Sequence, residues 1–250
     1  ATYMRGMPFV QVPTTLLAQV DSSVGGKVGL NLPQGKNLVG AFYEPEFVWL
    51  DTAYLDSLSD KQIRNGFAEV VKHALIGQPA LLDDLEAEVS ELKLGNTAAW
   101  RRRLRTAIQV KIDVVQQDFR ESGIRRSLNF GHTLAHAIEA SGDFHQFNHG
   151  EAVSLGMRAM LRLSVLKGSL NISVAHRSEK ILDEIGFPQL ELGMLSDETL
   201  NFIKTDKKKN GESYRLIFLK SLGQIEEVTY TWDELKLLFG SLREHPTLET

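Results

Sequence analysis

Ser59-Asp60-Lys61-Gln62-Ile63-Arg64-Asn65-Gly66-Phe67-Ala68-Glu69-Val70-Val71-Lys72-His73-Ala74-Leu75-Ile76 is the stretch whose pattern decides the fold class. From Ser59 onward the apolar residues fall three and four apart, the period of a helix with one buried face. Within the apolar frame of Phe67, Val70, Val71 and Leu75 stand Glu69, Lys72 and His73. Their spacings of three and four put them on one face. Such a carboxylate and ammonium read either as an exposed ion pair or as a metal ligand beside a substrate clamp.

The same helical period continues to the C-terminal region. It predicts helices over about 60–76, 79–92, 97–117, 128–140, 151–166, 173–185 and 197–204, with a last one over 232–239. Gly142, Gly168 and Gly186 stand near predicted helix ends, where a left-handed residue is often required. Residues 215–219 and 225–230, around a turn at Gly223, read as a small hairpin. Upstream of Ser59 the pattern is mixed. Phe9-Val10-Gln11-Val12 reads as a short buried strand ended by Pro13, and Thr14 and Thr15 offer an N-cap for a helix through Val20. A glycine-rich stretch from Ser22 to Gly40 follows, then a strand at Phe47-Val48-Trp49-Leu50. The expected fold class is α+β and mostly helical, with a mixed segment at 1–58 and a helical domain at 59–250.

Composition narrows the chemistry. The chain has 250 residues, 42% hydrophobic and 24% charged, which is ordinary for a globular protein. No uncharged apolar run approaches the roughly 18 residues of a membrane span. The formal net charge of −4 argues against non-specific nucleic-acid binding. With no cysteine, any metal must be held by His, Asp or Glu. These features fit a cytoplasmic location. The start at Ala1-Thr2-Tyr3, without an initiator Met, points to a chain that begins inside a longer protein.

Two further clusters carry chemistry. Asp21-Ser22-Ser23-Val24-Gly25-Gly26-Lys27 and Gly35-Lys36-Asn37 combine glycines, which allow close backbone approach, with two lysines suited to oxyanions. This is no P-loop: five residues separate Gly29 from Gly35-Lys36, and Asn37 replaces the magnesium-binding hydroxyl. A surface loop is the plainer reading. The second cluster is Asn129-Phe130-Gly131-His132-Thr133-Leu134-Ala135-His136, followed by His149-Gly150-Glu151. Four of the seven histidines, His132, His136, His145 and His149, fall within eighteen residues, which favours a metal or acid–base site. Thr133 stands where a zincin requires Glu, so a metalloprotease is excluded. With Glu69 added, a Glu-His-His site with open positions is chemically sensible. Arg5, Lys111, Arg125, Lys207 and Lys208, taken singly, read as solvated charges.

Taken together, these segments resemble the 3-dehydroquinate synthase family. The resemblance rests on Tyr3–Gly6, Phe9–Lys27, Gly35–Asn37, Phe67–Lys72, Leu128–Thr133 and His149–Val153, all in the family's order. It implies that 1–58 is the remnant of a Rossmann-like NAD-binding α/β domain, and that 59–250 is an all-α metal-binding catalytic domain. It implies zinc or cobalt on Glu69, His132 and His149. It implies that Asp21, Lys27, Asn37, Lys72, Lys111, Arg125, Asn129 and either Lys207 or Lys208 hold a seven-carbon keto-sugar acid phosphate. Thr14, Thr15, Lys36, Tyr54 and Ser57 match NAD-contacting positions, and Glu121 and His136 match proton acceptors. Arg5 matches a residue that reaches a neighbouring subunit's site, which implies a homodimer. The implied reaction converts 3-deoxy-D-arabino-heptulosonate 7-phosphate to 3-dehydroquinate and phosphate. It runs through transient oxidation by NAD, phosphate elimination, reduction and intramolecular aldol closure. The family carries a glycine-rich turn for the NAD pyrophosphate N-terminal to this region, so these residues alone are expected to be inactive. Val28 and Phe119 depart from the family, which usually has Thr and an acidic residue there. A sister sugar-phosphate cyclase, an iron-dependent alcohol dehydrogenase and an inactive metal-binding module are the competing readings. Arg125, Asn129 and Lys207-Lys208 favour the dehydroquinate type over the first, and the Gly-Gly-Lys and Gly-Lys-Asn motifs argue against the second.

Overall fold

A computed structural model describes residues 1–32, 35–142, 146–206 and 213–245, leaving aside the side chains of residues 31, 35–37, 205 and 206. Helix α1 (Asp60–Gly77) runs through the core. It begins where the Ser59 N–H donates to Gln62 Oε1 at 2.9 Å, which satisfies an orphan donor of the first turn. Around it lie α2 (Pro79–Leu92), α3 (Thr97–Gln117), α4 (His132–Ser141), α5 (His149–Leu166) and α6 (Ile172–Ile185). Asn96 and Asn171 cap α3 and α6 by accepting the N–H groups of Ala99 and Ser173 at 3.0 and 2.8 Å. Helices α7 (Asp197–Asp206) and α8 (Trp232–Glu244) complete the C-terminal half.

Strands are few and short. β1 (Val10–Gln11) pairs in parallel with β4 (Phe47–Val48), and β2 (Lys27–Leu32) pairs antiparallel with β3 (Gly35–Phe42). β5 (Tyr214–Ser221) and β6 (Gln224–Tyr230) form an antiparallel hairpin whose Leu216, Phe218 and Leu219 join the core beside α5. Between β1 and β2 a π-helical turn spans Ala18–Ser22, with Gln19 and Val20 buried.

Four expectations need correction. The strand at 9–12 is not buried, since Val10 and Val12 are each 46% exposed. Among the described residues only β4 pairs with it, and this piece of sheet leaves apolar side chains in solvent. The glycine-rich stretch is a hairpin rather than a loop, because Gly40 lets β3 cross close to the Val28 carbonyl of β2. The helix expected over 128–140 is broken. A 3₁₀ turn covers Ile124–Asn129, Gly131 is left-handed at φ +78°, and α4 starts only at His132. Finally, Gly142 takes φ −96° rather than the left-handed form that Gly168 and Gly186 adopt. The other helix expectations hold to within a few residues, the last helix extending to Glu244.

Two contacts without side chains set the positions of α4 and α5. A Cβ on Gly156 would lie 2.0 Å from the Gly131 carbonyl oxygen, so α5 passes directly under the start of α4. At the other end, Gly150 of α5 donates its N–H to Asn65 Oδ1 of α1 at 2.6 Å, and a Cβ there would lie 2.3 Å from the Asn65 carbonyl oxygen. Both obstacles are backbone, which has no flexible end to move aside. Gly156→Ala is therefore expected to destabilise the fold by about 3 kcal/mol or more in urea unfolding, at the upper end of overpacking costs.

Candidate metal and anion-binding site

The two glycine contacts bring the first residues of α4 and α5 to the same place. His132 Nε2 lies 3.4 Å and His149 Nε2 lies 3.2 Å from Glu69 Oε1, and the three ligand atoms are all within 4.8 Å of one another. Ligands about 2.1 Å from a tetrahedral zinc stand about 3.4 Å apart. The donor set and spacing therefore fit a divalent ion. The outer contacts fit as well. His132 Nδ1 lies 3.2 Å from the Phe130 carbonyl oxygen, so that a proton on Nδ1 would leave Nε2 available to an ion. Glu139 Oε1 stands 3.7 Å from His149 Nδ1, long for a direct hydrogen bond but within ion-pair reach.

Local sequence explains the aim of each ligand. Asn148 caps α5 by accepting the Glu151 N–H at 3.0 Å, while Glu151 Oε2 accepts the Asn148 N–H at 2.9 Å. This closed box fixes the entry of the chain at His149. Asn65 sits one turn before Glu69 and ties that turn to Gly150.

The electrostatics follow from burial. Glu69 has no exposure, and burial works against its charge, but the Lys72 ammonium and His132 hold it well below the usual carboxylate range. His132 is pushed down by burial and by Lys72. Burial opposes charge on His149 too, but Glu139 and Glu69 lift it to about 9. His73, fully buried with its Nδ1 2.9 Å from the Ala107 carbonyl oxygen, falls to about 4 through burial and Lys72.

Around this centre the structure gathers most of the charged residues singled out in the sequence. Lys111 pairs with Asp21 at 2.5 Å; burial depresses the ammonium, while Asp21, opposed by burial but facing Lys111, sits below its ordinary value. Glu121 accepts from Asn129 Nδ2 at 2.7 Å and from the Lys27 ammonium. Burial works against the Glu121 charge, yet those two donors bring its pKa down. Arg125, buried, donates to the Gly25 carbonyl at 2.9 Å and to the Phe119 carbonyl. Glu121, Asn129, His132 and His136 line a cavity of about 680 Å³, whose walls also include Arg120, Arg126, Arg215 and Glu227.

Other predicted residues stay apart. Within this chain, Arg5 lies on an exposed turn outside the cavity lining. Thr14 is exposed, and Thr15 caps the turn below it through the Ala18 N–H at 3.2 Å. Tyr54 and Ser57 are exposed on the 3₁₀ turn Thr52–Ser57, where the Ser57 hydroxyl donates to the Tyr54 carbonyl. Lys36 and Asn37 belong to β3, and their side chains, like Lys207, Lys208 and His145, lie outside what is described. Sequence reading missed Asn65, Glu139, Arg120, Arg126, Arg215 and Glu227. The Asn148-x-x-Glu151 box had a readable signal. The Arg126–Glu227 ion pair, at 2.6 Å between residues 101 apart, had none.

Comparison with known proteins decides the family. Residues 1–65 match the description 3-dehydroquinate synthase N-terminal, and residues 66–209 match 3-dehydroquinate synthase C-terminal. The chain belongs to the 3-dehydroquinate synthase family. It is 42% identical over 224 residues to the 3-dehydroquinate synthase of Nitrosospira multiformis, and 44% identical over 223 residues to that of Halorhodospira halophila. These alignments cover 90% and 89% of this chain but 61% and 63% of the relatives, so the chain spans less than two thirds of their length. Among solved structures it resembles 2-epi-5-epi-valiolone synthase of Streptomyces hygroscopicus subsp. jinggangensis with NAD⁺ and Zn²⁺ bound. The TM-score is 0.85 at 26% identity, over 98% of this chain and 68% of that one.

The Glu139 contact makes a measurable demand. Glu139→Gln is expected to weaken zinc binding about 10-fold to 100-fold in chelator competition, leaving one site per chain.

Proposed function

We propose that this chain supplies the metal- and substrate-binding part of a 3-dehydroquinate synthase, which converts 3-deoxy-D-arabino-heptulosonate 7-phosphate to 3-dehydroquinate and phosphate. The observation that carries this reading is the Glu69–His132–His149 cluster, with Lys72 paired to Glu69 and with His132 sharing a cavity wall with Asn129 and Glu121, the partner of Lys27. Identity of 42–44% to dehydroquinate synthases, against 26% to the valiolone synthase, favours this substrate over a sister cyclase's.

Glu69, His132 and His149 would hold zinc or cobalt, and the bound ion would acidify and gather vicinal substrate hydroxyls. NAD⁺ would take and return a hydride, with Thr14, Thr15, Lys36, Tyr54 and Ser57 as its contacts in this chain. The remaining work is positioning and charge. Lys27, Asn37, Lys72, Lys111, Arg125 and one of Lys207 and Lys208 fix the phosphate and carboxylate of the substrate, and Asp21 keeps Lys111 oriented. Asn129 Nδ2 orients Glu121, whose carboxylate stays ionised and holds the Lys27 ammonium at the cavity. His136, exposed on α4 at the same cavity, is placed to accept a proton at its imidazole.

The proposal includes a division into a nucleotide-binding segment, 1–58, and a helical metal domain, 59–250. It also includes a cytoplasmic homodimer in which Arg5 completes the neighbouring site. Exposed Tyr3 and Met4, beside Arg5 in sequence, and exposed Phe47 and Trp49 at β4 support association. No helix among the described residues is long and apolar enough to cross a membrane.

The test is phosphate release from 3-deoxy-D-arabino-heptulosonate 7-phosphate by the whole protein with NAD⁺ and zinc. Release that requires both is expected; none from folded, zinc-loaded protein overturns the reading. Arg125→Lys is expected to lower kcat/KM at least about 10-fold, since an ammonium cannot reproduce the planar fork that reaches two carbonyls.

A further inference from the structure

The loop between α3 and the Ile124–Asn129 turn is built around one carboxylate that the proposed reaction does not use. Asp118 is buried at the C-cap of α3. A negative charge is disfavoured there, because the last carbonyls of a helix carry partial negative charge. The position is nevertheless wrapped by donors. Asp118 Oδ1 accepts the Ser122 N–H at 2.9 Å and the Ser122 hydroxyl at 3.1 Å. Oδ2 accepts the Gly123 N–H at 2.6 Å and the Arg125 N–H at 3.1 Å. Burial works against the charge, but those backbone N–H groups bring Asp118 to about 2. The chain thus curls around its own anion as a nest.

One cavity residue, Glu121, and one buried neighbour, Arg125, depend on that curl. Glu121 takes φ +60°, a left-handed conformation uncommon for a residue with a side chain. It persists because the next two residues are tied to Asp118, and it is this conformation that sends the Glu121 carboxylate to Asn129 and Lys27. Arg125 has its backbone held by Asp118 and its guanidinium under Gly25, next to the glycine turn that leads into β2. The ring of Phe119 packs on Gly26 and edge-on against Phe42, which fastens the hairpin to the same loop.

We propose that Asp118 is the positioning residue of this site, which shapes the loop 118–125 and acts through Glu121 and Arg125. Its kinetic consequence rests on the dehydroquinate synthase reading; its structural consequence does not. Trypsin can cut after Arg120 and Arg125 inside the loop. Asp118→Asn keeps the size but turns an acceptor into a donor that faces N–H groups. The variant is expected to be cleaved in the loop at least about 10-fold faster than wild type, with the cleavage rate elsewhere unchanged. It is also expected to lower kcat/KM about 10-fold to 100-fold, as misplacement near 1 Å does. In a Glu121→Ala background the same change should cost at most a third of that factor, because the group it positions is gone. Loop cleavage and kcat/KM at wild-type values would overturn the proposal, as would cleavage accelerated equally along the whole chain. A wild-type protein that releases no phosphate would sink the reaction assignment instead, and the proteolysis would still decide the role of Asp118.

Discussion

A carboxylate with no solvent exposure, Glu69, is the constraint on which the rest of the structure depends. Leaving such a charge unmatched costs several kcal/mol, so the fold must bring polar and charged partners to it. α1 brings one itself, Lys72, three residues along. The others arrive from a distance as the opening residues of α4 and α5. Those helices can point their first residues at α1 only if their backbones come very close, and the bare positions Gly131, Gly150 and Gly156 permit it. Packing, charge and candidate chemistry are one arrangement here.

Outside that centre the same logic repeats with less burial. Lys111 faces Asp21, and Lys27 faces Glu121. Each lysine is already oriented by a carboxylate. An anionic substrate entering this field meets donors whose rotamers are set, which lowers the entropy lost on binding. The partners come from α3, the turn before β2, the loop 118–125 and the turn before α4. The site is thus a junction of segments rather than the surface of one element.

Much of this was legible in the sequence. The three- and four-residue spacing in α1 predicted 60–76 against the observed Asp60–Gly77. The same spacing placed Glu69, Lys72 and His73 together, because helical periodicity is local and strong. The density of histidines marked the metal-ligand candidates before any coordinate. What stayed hidden depends on tertiary contact. The break at Gly131 comes from α5 passing beneath it, and nothing in Leu128–His136 announces that neighbour. The hairpin of 27–42 hid behind its glycines, which weaken the alternation by which a strand is read. Arg215 and Glu227 enter the cavity wall from a hairpin near the far end of the chain. The loop 118–125 lacks periodicity, and its order comes from one aspartate's four hydrogen bonds.

The most direct test of the central claim is X-ray absorption at the zinc edge on zinc-loaded protein. A first shell of nitrogen and oxygen near 2.0–2.2 Å, with the outer scattering of two imidazoles, is the expected spectrum. A shell with fewer than two imidazoles, or one unchanged by Glu69→Gln, would contradict the account.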